Sequence, residues 1–181
     1  MINIILPNFF YFNKINESLF LLKREHPEYF INKNINFIAQ EGNFPFCYWA
    51  GRNTVNYKTA LQNTMFDFFK TTRLPIILDC ANPLLKEIDY NNIANNTALQ
   101  LGQNGSNQVL VSSIDLLNYI KQKYPFYQFI ASEYYITSDV KLESINLLTR
   151  IKVPLTLLHN YNNIPKNKIE IVLNDPCENC I

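Results

Sequence analysis

From residue 33 onward, short continuous apolar runs alternate with longer segments whose apolar residues return every three or four positions. The runs are INKNINFIAQ, with a strand near 34–39, then LPIILDC, QVLVSS, YQFIAS, VPLTLLH and KIEIVLN. All are short and most are rich in β-branched or aromatic residues, as expected of buried strands. Between them, VNYKTALQNTMFDFFKT reads as a helix on Tyr57, Ala60, Leu61, Met65 and Phe68 or Phe69. YNNIANNTALQLG carries Ile93, Ala94, Thr97 and Leu101 on one face and stops at Gly102. SIDLLNYIKQKY and SDVKLESINLLTR complete the helices, with Ser113 and Ser138 as N-caps.

Strand followed by helix, repeated, predicts an α/β fold: a parallel sheet of about six strands covered by helices. Six steps suit either an open doubly wound sheet or three quarters of an eight-stranded barrel, and the reading carried forward is an incomplete or divergent TIM-type barrel. The connection NYNNIPKN is too short and too interrupted by proline for a full crossover helix. Residues 1–31 are expected to be a helical preface, with a helix over 13–25 capped by Asn13 or Asn16 and ended at His26–Pro27; residues 32–181 are the β/α domain, open to truncation at its C-terminus. The opening MINIILPNFFYF is apolar but lacks a basic region and a cleavage site, so it is not read as a signal peptide, and no run approaches the ~20 residues that span a bilayer.

Composition narrows the partners. Sixteen basic and 15 acidic residues give a net charge of +1 over 181 residues, which removes the footprint of a nucleic-acid or anionic-membrane binder and leaves a small-molecule or peptide ligand. With four glycines and no G-x-G-x-x-G, G-x-S-x-G or H-E-x-x-H, no nucleotide cofactor is expected. The absence of an export signal points to the cytoplasm, where the four cysteines would be reduced.

In parallel β/α folds ligands bind at the C-terminal strand ends. The polar residues expected there are Glu41, Asp79 and Cys80, Ser112 and Ser113, Ser132 and Glu133, His159 and Asn160, and Asn174 and Asp175. Of these His159 is the candidate general base, and Asp79 with Glu133 a candidate acid and base pair. Trp49 and Arg52 form an aromatic and cationic pair suited to stacking on a planar or sugar-like ligand and holding an anion, or else a lid over the sheet end. Cys47, Cys177 and Cys180 are candidate thiolate ligands for zinc or an iron–sulfur cluster, the last two in a C-x-x-C spacing that lets one turn offer both. Ordinary reduced cysteines near a chain end are the competing reading, and Cys80 in IILDCA is expected to be core.

The segment NQVLVSSIDLLNYIKQKYPFYQFIASEYYI, residues 107–136, resembles the barrel segment of the collagenase-like peptidase family, and NFPFCYWAGR resembles a loop in uncharacterised bacterial barrel proteins of that type. Relatives in that family hold an iron–sulfur cluster with one early cysteine and a later group. The resemblance implies a barrel, with Cys47 as the early ligand and Cys177 and Cys180 as part of the later group. It implies no peptidase activity, because the family's acidic, glycine- and cysteine-rich signature is missing. From a different class comes the expectation of a non-catalytic module that associates through open sheet edges, or of a truncated, inactive remnant.

Overall fold

The computed structural model describes residues 2–32, 34–44, 47–50, 61–133, 135, 147–154 and 165–172. Its centre is a seven-stranded sheet of β1 (Ile2–Pro7), β2 (Ile35–Gly42), β3 (Ile76–Cys80), β4 (Gln108–Val111), β5 (Gln128–Ala131), β6 (Leu148–Pro154) and β7 (Ile169–Val172). Every neighbouring pair is parallel and the spatial order is the sequence order, so the sheet curls into an incomplete α/β barrel. The described helices are α1 (Phe9–Glu25), α2 (Leu61–Thr71), α3 (Ile93–Gly102) and α4 (Ile114–Lys123).

Local chemistry sets the helix ends. Ser113 caps α4 by accepting from the Leu116 N–H at 3.2 Å, with Asp115 in the first turn and Lys121 and Lys123 in the last to match the helix dipole. Asn92 caps α3 in the same way from Asn95 N–H at 3.0 Å. At its far end, Asn107 donates to the Gly102 carbonyl at 2.7 Å. Asn8 precedes α1 in the left-handed region, φ 50°, a conformation that asparagine tolerates better than most residues.

Alternation along each strand sorts the side chains into two faces. Ile76, Leu78, Cys80, Val109, Val111, Phe129, Ala131, Ile151 and Val153 share one core with Met65 and Phe68 of α2, Leu99 of α3, and Leu116, Leu117 and Ile120 of α4. Ala39, Ile77, Leu110 and Ile130 form a second, smaller cluster on the opposite, concave face. Leu6 and Phe37 pack with Leu19 and Phe20 of α1. Burying each large side chain in these layers stabilises by about 1.5–3 kcal/mol.

Several sequence expectations change here. The preface contains a β/α step of the same sheet: β1 pairs with β2 from Ile2 opposite Ile35 to Pro7 opposite Glu41. Asn16 does not cap α1; it is buried and donates to Gln40 Oε1 at 3.0 Å, tying the helix to the sheet. Leu148 to Arg150, expected at the end of a helix, belong to β6, and the sheet has seven strands. Residues 136–146 and 155–159, which carry the rest of that helix with Ser138 and the rest of VPLTLLH, lie outside the described residues.

Two register shifts decide what the concave face carries, one in β2 and one in β6. In β2, Ile38 is the extra residue between Phe37 and Ala39 and turns Ala39 and Glu41 inward. Phe129 pairs with Leu148 but Ile130 pairs with Arg150, so Thr149 is an extra residue, a β-bulge. Leu148 therefore faces the helices, whereas Arg150 and Lys152 fall in phase with Ile130 on the concave side. The Thr149 hydroxyl donates to the Phe129 carbonyl at 2.9 Å, fixing the bulge.

Candidate functional site

The concave face gathers charge at its C-terminal half. Glu41 is the next-to-last residue of β2, Asp79 the next-to-last of β3, Lys152 lies near the end of β6, and Glu170 stands opposite Lys152 on β7. Lys152 Nζ donates to both carboxylate oxygens of Glu41, each at 2.6 Å, and lies 3.9 Å from Glu170 Oε1. Three strands separate β2 from β6. In a flat sheet those four spacings would set the strands about 19 Å apart, which a lysine and a glutamate cannot bridge. The ion pair is thus a direct consequence of the curl.

Beneath it, Arg150 Nη1 donates to Glu170 Oε2 at 2.8 Å, Arg150 Nη2 donates to Gln108 Oε1, and Gln108 Nε2 donates to Gln128 Oε1 at 3.0 Å. The result is a polar chain from β2 through β6 and β7 to β4 and β5. Its ionic members are largely withdrawn from water, with Lys152, Glu170 and Glu41 side chains 12, 20 and 22% exposed.

Burial opposes the Lys152 charge, but Glu41 first, then Glu170 and Glu133, outweigh it and hold the ammonium above its ordinary pKa. At Glu170 burial prevails: the carboxyl is pushed up despite Arg150 and Lys152, with Glu41 and Glu133 adding to the rise. A fixed cation thus stands beside a carboxyl of raised proton affinity.

Of the residues expected in the site, Glu133 follows β5 and acts electrostatically on both Lys152 and Glu170. Asp79 faces the same side, and its Oδ1 accepts from the Ala81 N–H at 3.0 Å. β4 lies between the strands that carry Asp79 and Glu133, so the two are not on adjacent strand ends. Ser112 donates to the Asn82 carbonyl at 2.9 Å, a loop contact and not a cap. Ser132 is fully buried, and its Oγ has no hydrogen-bond partner among the described residues.

Trp49 belongs to the helix-side core, fully buried, with its indole N–H donating to the Asp89 carbonyl at 2.9 Å and its rings edge-on to Tyr90 and Tyr119. In this position it offers no face to a ligand. Cys47, 2% exposed, packs in the same core, where burial pushes its thiol up to about 12. Cys80 is core, as expected, and its thiol is raised by burial, then by Asp79 and Cys47. A metal or cluster ligand must be a thiolate, and the surroundings of Cys47 favour the neutral thiol. Among the described residues no group of three or more His, Cys, Asp or Glu is arranged to hold a metal ion. Arg52, His159, Asn160, Asn174, Asp175, Cys177 and Cys180 lie outside the described residues.

Lys152, Arg150 and Glu170 were not among the expected site residues. Their signal is the alternation Arg-Ile-Lys-Val in β6 and Ile-Glu-Ile-Val in β7, charges at every second place or singly inside apolar strands. A separate surface groove of about 670 Å³ runs between Leu85–Asn91 and α4, lined by Lys86, Glu87, Tyr90, Asp115 and Tyr119.

No family model, curated protein or solved structure matches the chain. Among the described residues no helix is long and apolar enough to cross a membrane.

Proposed function

We propose that the protein is a barrel-type enzyme that moves protons on a small polar molecule bound inside the curl of the sheet. Lys152 serves as the fixed cation that polarises a substrate oxygen, and Glu170 as the carboxyl that takes or returns the proton. The observation that carries this reading is the Lys152–Glu41 pair across the barrel interior, flanked by Glu170. A paired cation and a carboxyl of raised proton affinity, side by side on the concave face of a parallel sheet, are the groups general acid–base chemistry uses. The alternative of an iron–sulfur cluster, from the sequence resemblance, or of zinc, from the cysteine spacing, would draw on Cys47, Cys177 and Cys180. Cys47 is packed in the helix-side core, away from the concave face, and the proposed chemistry draws on none of the three.

The test is solvent exchange: simple hydroxycarbonyl compounds are incubated with the protein in deuterium oxide and followed by proton NMR. Wild type is expected to speed loss of the proton next to the carbonyl, and Lys152→Met or Glu170→Gln to slow it by about 10²–10⁴-fold. Exchange no faster with wild type than with Lys152→Met would overturn the reading.

A second reading, from a non-catalytic class, has its own observation. The described sheet ends in β1 and β7, which carry the exposed Ile2 and Ile171. Sheet edges of this kind pair with other chains unless protected, and light scattering that gives a monomer would remove that reading.

A further inference from the structure

The interior that holds Lys152 also holds a hydroxyl with nothing to bond. Ser132 follows Ala131, the last residue of β5, and its N–H donates to the Val111 carbonyl at 2.9 Å, continuing the parallel ladder one step past the strand. Ala131 faces the helices and Ile130 the concave side, so alternation turns Ser132 to the concave side. Ala131 pairs with Ile151, which sets Ser132 beside Lys152 in the next row. The residue is fully buried and its Oγ has no partner among the described residues. Buried hydroxyls are nearly always hydrogen-bonded, and the exceptions ask for a reason. Ser112, the equivalent residue one strand away, bonds to the Asn82 carbonyl, and Ser132 has no such loop acceptor.

The charges around it limit what its partner can be. Among the described residues, three carboxyl groups, Glu41, Glu133 and Glu170, face the two cations Arg150 and Lys152, and Asp79 lies on the same side of the sheet on β3. Both cations are already paired, Arg150 with Glu170 and Lys152 with Glu41. Among the described residues a phosphate or carboxylate entering this space would meet an excess of negative charge and no unpaired cation, whereas an uncharged oxygen could accept from Ser132 Oγ and from Lys152.

We infer that Ser132 is a substrate-binding residue, and that the ligand of the interior site is an uncharged molecule bearing hydroxyl or carbonyl groups, such as a neutral sugar or polyol. The inference rests on the interior being the working site and adds the charge class of its ligand.

Saturation-transfer NMR on the full chain tests it, with glycerol, dihydroxyacetone and D-xylose as probes beside dihydroxyacetone phosphate, xylonate and succinate. The neutral probes are expected to bind and the anionic ones to bind at least about tenfold more weakly. Ser132→Ala is expected to weaken the neutral probes by about five- to tenfold while its melting temperature stays equal or rises, because alanine removes an unpaired hydroxyl. The inference is overturned if anions bind better than neutral probes, if no neutral probe binds, if Ser132→Ala binds them as wild type does, or if that variant melts lower. Neutral binding lost in Ser132→Ala, with proton exchange no faster in wild type than in Lys152→Met, would keep the inference and remove the catalytic reading. Proton exchange lost in Lys152→Met together with a preference for anions would do the reverse.

Discussion

Lys152 of β6 places its ammonium 2.6 Å from both carboxylate oxygens of Glu41 on β2, across an interior bounded by the three strands between them. The pair reports the curvature of the sheet and populates the proposed site at once. Breaking one side leaves the other charged and poorly hydrated. Glu41→Gln is expected to cost about 2–3 kcal/mol, below the ~3–5 kcal/mol of a fully buried pair because both side chains keep some solvent. Urea denaturation of Glu41→Gln, Lys152→Met and the double variant should give a clear coupling energy; additive losses would mean that the two do not interact in solution.

Titration of the same cluster has a defined sign. Lys152 has a folded pKa above its ordinary 10.5, so its pairing stabilises the fold below that value and is lost as the pH climbs through the folded pKa. Glu170 is a raised carboxyl: the folded state holds its proton more tightly than the unfolded one. Stability on its account falls as the pH rises from the ordinary 4.5 through the folded value. Glu170→Gln should flatten that acid-side slope and Lys152→Met the alkaline one, as read from melting temperature against pH. An unchanged acid-side slope in Glu170→Gln would show that its carboxyl is not raised.

Thr149 is the extra residue that turns Arg150 and Lys152 inward. Deleting it would make Phe129–Leu148 and Ile130–Arg150 consecutive pairs and leave Leu148 on the helix side and Arg150 and Lys152 on the concave side. Inserting a residue beside it would instead shift the phase and drive charged side chains into the helix-side core. The deletion is expected to keep cooperative unfolding by circular dichroism and the insertion to lose it, whereas Thr149→Val, which loses only the bond to the Phe129 carbonyl, should cost about 1 kcal/mol. A deletion that no longer unfolds cooperatively would contradict the bulge.

Gly102, at the end of α3, shows where packing overrides propensity. A Cβ there would meet Tyr127 Oη at 2.7 Å and Phe69 ring carbons at 2.8 Å. Alanine would gain about 0.5–1 kcal/mol of helix propensity but meet an overpacking cost of about 1–3 kcal/mol. A net loss by thermal melting is expected, eased by Phe69→Leu; a stabilised Gly102→Ala would show that the rings yield freely.

Cys47 and Cys80 sit in the core with thiols raised by burial. Under native conditions iodoacetamide should leave both unmodified and label them only on unfolding, as read by peptide mass spectrometry. Rapid native labelling of Cys47 would place it in a thiolate-forming site and revive the ligand role considered for it.

The strand and helix alternation was legible because β3, β4 and β5 are continuous apolar runs, buried on both faces, and Ser113 marks the start of α4 with its own side chain. The N-terminal strand was not, since Pro7 and Asn8 interrupt the apolar opening where the chain turns from β1 into α1. Nor was β6. A bulge leaves no mark in composition, and without it Leu148, Thr149 and Arg150 continue a helical spacing. Glu41 and Glu133 could be listed as strand-end residues from local pattern. That Lys152 meets Glu41 could not, because the contact joins residues 111 positions apart and exists only once the sheet curls.

The most direct measurement is diffraction from crystals of the full chain soaked with small polar fragments. The account expects density inside the curl, in contact with Lys152 Nζ and close to Glu170 and Ser132. Fragments gathering in the outer groove between Leu85–Asn91 and α4, with the interior consistently empty, would contradict it.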